Sequence, residues 1–480
     1  MSFNSLEFLV FFPVVVVLYF ALPHRCRLWL LLVSSYLFYM SWNAPYALVL
    51  VAMTAIDYTA GLMMGNTEDK RKRRRYLGVS LTANLLLLAV FKYFNFISET
   101  AYGVMAFLGH PVQLPLVDVI LPLGISFHTF QTMAYAIDVY RGTIPPERNL
   151  LRFAVYVVFF PQLVAGPIER AKHFLVQFRE EYAFDYQRVV AGLQLMLWGF
   201  FKKIVIADRL AVYVNAVYGN PGDHGAASVL LATYFFAFQI FCDFSGYCDI
   251  ALGSAQVMGF QLMQNFERPY SSRSIAEFWR RWHISLSTWF KDYVYIPLGG
   301  NRTVRWRWYY NLFIVFAISG LWHGAKWTFI VWGILHGCYM IASAMTGDAR
   351  GRMVRAIGLD RYPRLHRAIQ VSLTFQLVCF AWIFFRANSM EDVSTLLRTF
   401  AVSDWRFGEL KGPFTRLELE WALAVVALLE VVHLSQGRRR LREMVAAQPI
   451  WVRWGLYYAA ICVILTMGRF DETQFIYFQF

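Results

Sequence analysis

Charge is the component this sequence has least of. Asp, Glu, Lys and Arg make up 16% of its 480 residues, against 58% hydrophobic and 18% aromatic. So little polar surface cannot cover a soluble globule of this length. That excludes a water-soluble domain and leaves an all-α polytopic membrane protein. Cysteine is also scarce. Cys26, Cys242, Cys248, Cys338, Cys379 and Cys462 form no CxxC pair and no Cys/His zinc spacing, so no metal site is expected and each reads as a small buried hydrophobe. The chain lacks a Gly-rich phosphate loop, an internal repeat and any low-complexity tract, and a single integral-membrane domain over 1–480 is the simplest organisation. Its first apolar run has no basic n-region, carries Glu7 and lacks a small-residue cleavage site, so it reads as a retained helix rather than a signal peptide.

What is present is a series of apolar runs close to the roughly 20 residues needed to cross a hydrocarbon core: 6–23, 28–46, 47–64, 77–97, 227–242, 368–385, 419–434 and 452–468. Other runs are interrupted by Gly, Pro or charge, and together they predict about 10–12 membrane segments, some broken or re-entrant. The net charge of +14 is spread beside these runs instead of forming one stripe, which argues against a nucleic-acid partner and for positive-inside topology. On that rule Lys70–Arg75, Arg141 to Arg152, Arg302 to Arg307, Arg350 to Arg367 and Arg438 to Arg442 are cytoplasmic. The amino terminus, the Glu99–Val117 connection and the tip at 218–227 fall outside.

The chemistry concentrates in 238–340. "FQIFCDFSGYCDIA" sets Asp243, Ser245, Tyr247 and Asp249 in an apolar run, where a charge normally faces a cavity or a partner. Asp243 and Asp249 lie about 240° apart on a regular helix, so either Gly246 breaks the helix or the carboxylates do different work. They could equally pair with nearby basic groups. Next, Ser274 and Glu277 predict a capping box, and Ile275, Phe278, Trp279, Trp282, Leu286, Trp289, Phe290 and Tyr293 recur at helical spacing. Arg280, Arg281, Ser287 and Lys291 take the other side of this amphipathic helix, with His283 on the border. Pro297, Gly299 and Gly300 end it, and Asn301 with Arg302 opens a polar loop. In "SGLWHGAKWTF", His323 lies 12 residues past Asn311, about 18 Å along a helix. Gly320 and Gly324 flank it, where a helix can break or another backbone approach. A deep, Gly-flanked imidazole beside Trp322 is a functional candidate; His336 reads as a packing residue.

These stretches, with "FWRRWHISLSTWFKDYVYIPLGGNR", "VAGPIER" and the closing "FIYFQF", resemble the membrane-bound O-acyltransferase family over nearly the whole chain, most closely its bacterial branch. The resemblance implies that His323, in the family's WHG motif, is essential and that His283, in its RWHISLS motif, is implicated. It implies a bacterial inner-membrane enzyme that acylates an extracytoplasmic polymer with the help of accessory proteins. No bound cofactor is expected; acetyl-CoA is the expected acyl donor, a cell-surface polysaccharide the expected acceptor, and the lipid bilayer the surroundings.

Combining the two readings, a neutral imidazole suits general-base work, and burial favours the neutral form. His323 is expected to deprotonate the acceptor hydroxyl, and His283 to orient the thioester. Trp322, Trp279, Arg280, Asn301, Asp243, Tyr247 and Asp249 are expected to contact substrate around a central funnel narrowing at His323. Two other classes fit less well: a transporter or flippase, for which no matched pair of interrupted segments exists in the two halves, and a non-catalytic scaffold for polysaccharide export.

Overall fold

A computed structural model describes residues 1–480 except 111, 113, 119–120, 165, 404, 406–411, 437–440, 471–474 and 477–480. Parts of four stretches cited above therefore lie outside the described residues: Pro111 and Gln113 of the Glu99–Val117 connection, Ala165 of "VAGPIER", Arg438 to Arg440, and most of "FIYFQF". Among the described residues every regular element is helical and no strand occurs. In lipid, helices satisfy their backbone groups internally. Among the described residues seven helical stretches are long and apolar enough to cross a membrane: His24–Gly65, Lys70–Phe107, Tyr186–Gly219, Ala226–Met258, Trp327–Met345, Pro363–Arg386 and Ile450–Met467. The Leu6–Ala21 helix is apolar but shorter. Arg305–His323 and Arg416–Ser435, of 19 and 20 residues, are as long as the two shortest of the seven. The chain is an all-α, multi-pass membrane protein whose described residues form two compact units, 1–196 with 247–263, and 197–246 with 264–480.

In the first unit the Lys70–Arg75 run forms the opening turns of the Lys70–Leu88 helix, capped by the Asp69 carboxylate, which accepts from Arg71 N at 2.8 Å. Arg73 donates to the carbonyls of Val139 and Tyr140 at 2.9 Å each, closing the last turn of the Ile125–Arg141 helix. Deeper down, the fully buried Asp57 accepts from Ser80 Oγ at 2.5 Å and from Asn84 Nδ2 at 3.1 Å, and Thr132 donates to Asn84 at 3.0 Å. A carboxylate at this depth is tolerable because hydrogen bonds satisfy it. Glu169, in the "GPIER" turn, is 1% exposed and accepts from Met263 N at 2.5 Å. Burial pushes its carboxyl up to about 8.

The second unit is organised by two 19-residue helices, Arg305–His323 and Trp327–Met345, each about 28 Å long. They run antiparallel with backbones nearly touching: a Cβ on Gly320 would overlap Phe329 O, and one on Gly333 would overlap Phe316 O. The Ala226–Met258 helix continues unbroken through Gly246, which resolves the Asp243/Asp249 alternatives in favour of separate roles. Gly246 is required there because a Cβ would meet Gly199 O at 2.8 Å. A π-helical turn, Phe201–Ala207, carries Lys203, whose ammonium binds Asp208 at 2.8 Å and Asp243 at 2.7 Å with all three buried.

Candidate active site

His323 is the last residue of its helix. Gly324 leaves in an extended conformation, and a Cβ there would overlap the Phe329 ring, so the chain turns within three residues onto the returning helix. Lys326 and Trp327 at this turn are exposed, while His323 just beneath is 3% exposed. The turn lies at the opposite end of the hairpin from Arg302 to Arg307. Three rings wall the imidazole: Trp322 at 4.9 Å, Trp332 at 4.9 Å and Phe385 at 5.4 Å between centroids. The two tryptophans stand nearly perpendicular to it, the edge-to-face arrangement aromatic quadrupoles favour.

His283 interrupts the single amphipathic helix expected over 275–293. The chain forms Ile275–Arg281 and then Ile284–Phe290, with His283 between them in the left-handed region at φ 44°, ψ 55°. That conformation costs a non-glycine residue about 1–2 kcal/mol, and Asn265 holds it in place. Its carbonyl accepts from Ile284 N at 3.0 Å, and its Oδ1 accepts from Ser285 N at 3.1 Å, capping the second helix from outside. The expected capping box at the first helix forms by half. Ser274 Oγ accepts from Glu277 N at 3.2 Å, but the Glu277 carboxylate turns to Arg273 N at 2.9 Å and pairs with Arg281 at 2.6 Å.

The break points His283 inward. It is completely buried, its ring 4.8 Å from Phe244 and 6.1 Å from Trp322. Burial pushes this imidazole down to about 3, so it is neutral at physiological pH. Trp322 thus touches both histidines and forms the partition between them. Beyond Trp332 lies His336, fully buried, with ring centroids 5.1 Å apart. Its Nδ1 accepts from Trp279 Nε1 at 3.2 Å, which in the neutral ring leaves the proton on Nε2.

Of the nine residues predicted from sequence, His323, His283, Trp322 and Trp279 converge in this buried aromatic cluster. Arg280 and Asn301 are exposed. Asp243 spends one carboxylate oxygen on Lys203 and the other on the backbone N–H of Ile476 at 2.8 Å. Tyr247 and Asp249 belong to the first unit, where the Tyr247 ring stacks on Phe3 at 4.4 Å. Sequence reasoning passed over Lys203, Asp208, Asn265 and Trp332. "FFKKIVIAD" in an apolar run was the available signal for the first two; Asn265 and Trp332 carried none. No group of three or more His, Cys, Asp or Glu could hold a metal among the described residues.

A model of the membrane-bound O-acyltransferase (MBOAT) family matches residues 146–387, a stretch that contains both candidate histidines. The probable alginate O-acetylase AlgI of Pseudomonas putida is 36% identical over 501 aligned residues, covering 100% of both chains. The peptidoglycan O-acetyltransferase of Helicobacter pylori is 34% identical over 82% of this chain and 79% of its own length. The teichoic acid D-alanyltransferase of Bacillus subtilis is 28% identical over 58% of this chain and 72% of its own. With its many apolar helices and a buried histidine at the turn of a membrane-length hairpin, the chain belongs to the membrane-bound O-acyltransferase family and is an acyltransferase.

Proposed function

We propose that the protein moves an acetyl group from cytoplasmic acetyl-CoA to a hydroxyl of an extracytoplasmic polysaccharide, directly or through the hydroxyl of an accessory partner protein. The observation that carries this reading is the seat of His323: a buried imidazole at the far end of a hairpin whose near end is basic. A base there is reached by an acceptor from one side and by a long thioester arm from the other. The relatives named for polymer acylation supply the substrate class; acetyl is preferred because the full-length relative is named an O-acetylase.

In the proposed step His323 takes the proton of the acceptor hydroxyl while its oxygen attacks the thioester carbonyl. The carbonyl π pair moves onto oxygen, the tetrahedral intermediate collapses, and the departing thiolate recovers the proton from His323. His283, neutral and across Trp322, orients the thioester, and Trp279 supports the wall beneath. Arg280 and Asn301, both exposed, would meet the nucleotide. Asp243, Tyr247 and Asp249 stay in the proposed substrate-contacting set, Asp243 being held as well by Lys203 and Ile476 N. The protein sits in the bacterial inner membrane with its amino terminus outside.

The test is turnover by the purified full-length chain in nanodiscs. His323→Ala is expected to lower acetyl-CoA hydrolysis and transfer by at least 100-fold, the usual weight of a general base, with an unchanged gel-filtration profile. Activity retained in that variant overturns the assignment. In cells, deletion of the gene removes ester-linked acetate from one surface polymer; unchanged esters on every polymer refute the acetyltransferase reading.

A further inference from the structure

One face of the returning helix carries three buried polar groups that nothing among the described residues satisfies. Thr328, Trp332 and His336 sit at successive i, i+4 positions of Trp327–Met345, are 1%, 0% and 0% exposed, and leave Thr328 Oγ1, Trp332 Nε1 and His336 Nε2 without a hydrogen-bond partner among the described residues. A buried donor left unmade costs about 1–3 kcal/mol, and such groups are rare enough in folded proteins that each calls for a reason. Three in register on one helix face, one of them against the His323 ring, call for a common one.

All three are donors. Thr328 offers a hydroxyl, Trp332 an indole N–H, and His336 an Nε2–H, because its Nδ1 is occupied in accepting from Trp279. Successive residues of the set rise about 6 Å along the helix axis, and a long helical side chain leans back toward the helix N-terminus, from Trp332 toward Thr328, which lets these two donors converge on one oxygen. An acyl thioester on a cysteamine-type arm presents acceptors at a similar interval: the acyl carbonyl and the first amide carbonyl are separated by the five bonds of C–S–CH2–CH2–N–C. The donor nearest the hairpin turn is Thr328, and His336 lies two turns back toward the basic end. An arm entering from that end would pass His336 first and bring its acyl carbonyl to Trp332 and Thr328, beside His323.

We infer that Thr328, Trp332 and His336 form the hydrogen-bonding track for the acyl donor. Thr328 and Trp332 hold the thioester carbonyl and receive the negative charge that develops on its oxygen, and His336 holds the first amide carbonyl of the arm. This rests on the proposed thioester chemistry at His323 and assigns that site its oxyanion donors. As the acceptor oxygen adds, the carbonyl pair shifts to oxygen under the two donors; when the C–S bond breaks, it returns, and the thiolate leaves with the proton held by His323.

The experiment compares acetyl-CoA with S-ethyl thioacetate, which keeps the thioester and lacks every amide, in full-length protein reconstituted in nanodiscs. Thr328→Val, close to isosteric, is expected to lower kcat for acetyl-CoA on the order of 100-fold, as loss of one oxyanion donor does, with KM little changed and Thr328→Ser restoring it. Trp332→Phe is expected to do the same. His336→Asn, which keeps an acceptor for Trp279, is expected to raise the acetyl-CoA KM about 10-fold and leave S-ethyl thioacetate turnover unchanged. Wild-type kcat in Thr328→Val, an acetyl-CoA KM unmoved in His336→Asn, or equal losses on both thioesters in His336→Asn would each overturn the track. A wild-type enzyme that rejects S-ethyl thioacetate leaves the first two criteria to decide. Should Trp332→Phe fail to fold, the Thr328 pair still decides the oxyanion assignment. His323→Ala remaining active would defeat the base reading instead, since the track is judged in enzyme that keeps His323.

Discussion

Replacing Lys203 by methionine separates a structural Asp243 from a substrate-binding one. The ammonium sits 2.8 Å from Asp208 and 2.7 Å from Asp243, and the side chains of the three are 6%, 3% and 5% exposed. Removing one partner of a buried pair costs about 3–5 kcal/mol, because the charge left behind is neither hydrated nor compensated. Lys203→Met leaves two such carboxylates and should cost at least that much. Asp243→Asn leaves the Lys203–Asp208 pair intact and should cost less, about 1–3 kcal/mol, the penalty of imperfectly met hydrogen bonds. It also weakens the acceptor for Ile476 N. The neutral triple variant Lys203→Met, Asp208→Asn, Asp243→Asn should recover much of the loss, since replacing a whole buried ion cluster is often close to neutral. The assay is the temperature at which detergent-solubilised protein loses its monodisperse gel-filtration peak, read beside KM and kcat for acetyl-CoA. A structural triad predicts the stability order wild type, Asp243→Asn, Lys203→Met, with KM unmoved in the variants that survive. Full stability in Lys203→Met, or a raised KM with normal stability in Asp243→Asn, would refute the reasoning and return Asp243 to the substrate.

His283 provides a backbone test: at φ 44°, His283→Gly should be more stable than His283→Ala by about 1 kcal/mol, with both inactive, and the reverse order in thermal unfolding would remove the strain argument. Glu169 provides a pH test. Its carboxyl, raised by burial to about 8 from an ordinary 4.5, keeps its proton in the folded state across a range where the unfolded chain has lost it. Folding stability should therefore fall as pH rises from about 4.5 toward 8 and level off above; Glu169→Gln should flatten melting temperature over that interval, and an unchanged slope would contradict the assignment. Gly333→Leu should abolish the monodisperse peak, because even a Cβ overlaps Phe316 O; normal folding of that variant would show that the hairpin does not pack backbone to backbone.

The helical, membrane-embedded architecture was legible because it follows from composition and run length, which lipid constrains more tightly than water does. The candidacy of His323 was legible for a related reason. An ionisable ring between two glycines inside an apolar run violates the local pattern, and such violations mark sites. The break at His283 was not legible. The aromatic spacing over 275–293 continues as though the helix did, and what interrupts it is Asn265, 18 positions earlier, whose carbonyl and amide oxygen cap Ile284 and Ser285. Local periodicity carries no record of a cap supplied from a distant segment.

His336 and Asp243 are positions where residue type alone says little about role. Asp243 was expected either to contact substrate or to pair with a basic group, because charge in lipid is costly; the structure shows such a pair with Lys203, which lies on a π-helical turn that no spacing rule announces. His336 looked like packing because it sits beside Gly337 in an aromatic helix, and it does pack, against Trp332 and Trp279. Yet only one of its nitrogens finds a partner among the described residues. The informative quantity at a buried polar residue is the number of its hydrogen-bonding groups left unmet. By that measure Asp243 is engaged by Lys203 and Ile476 N, while His336, Trp332 and Thr328 each keep a group unmet among the described residues. An unmet buried group is stable only where packing elsewhere compensates for it, and a site that must desolvate a thioester carbonyl before reaction has reason to hold its donors dry and unspent.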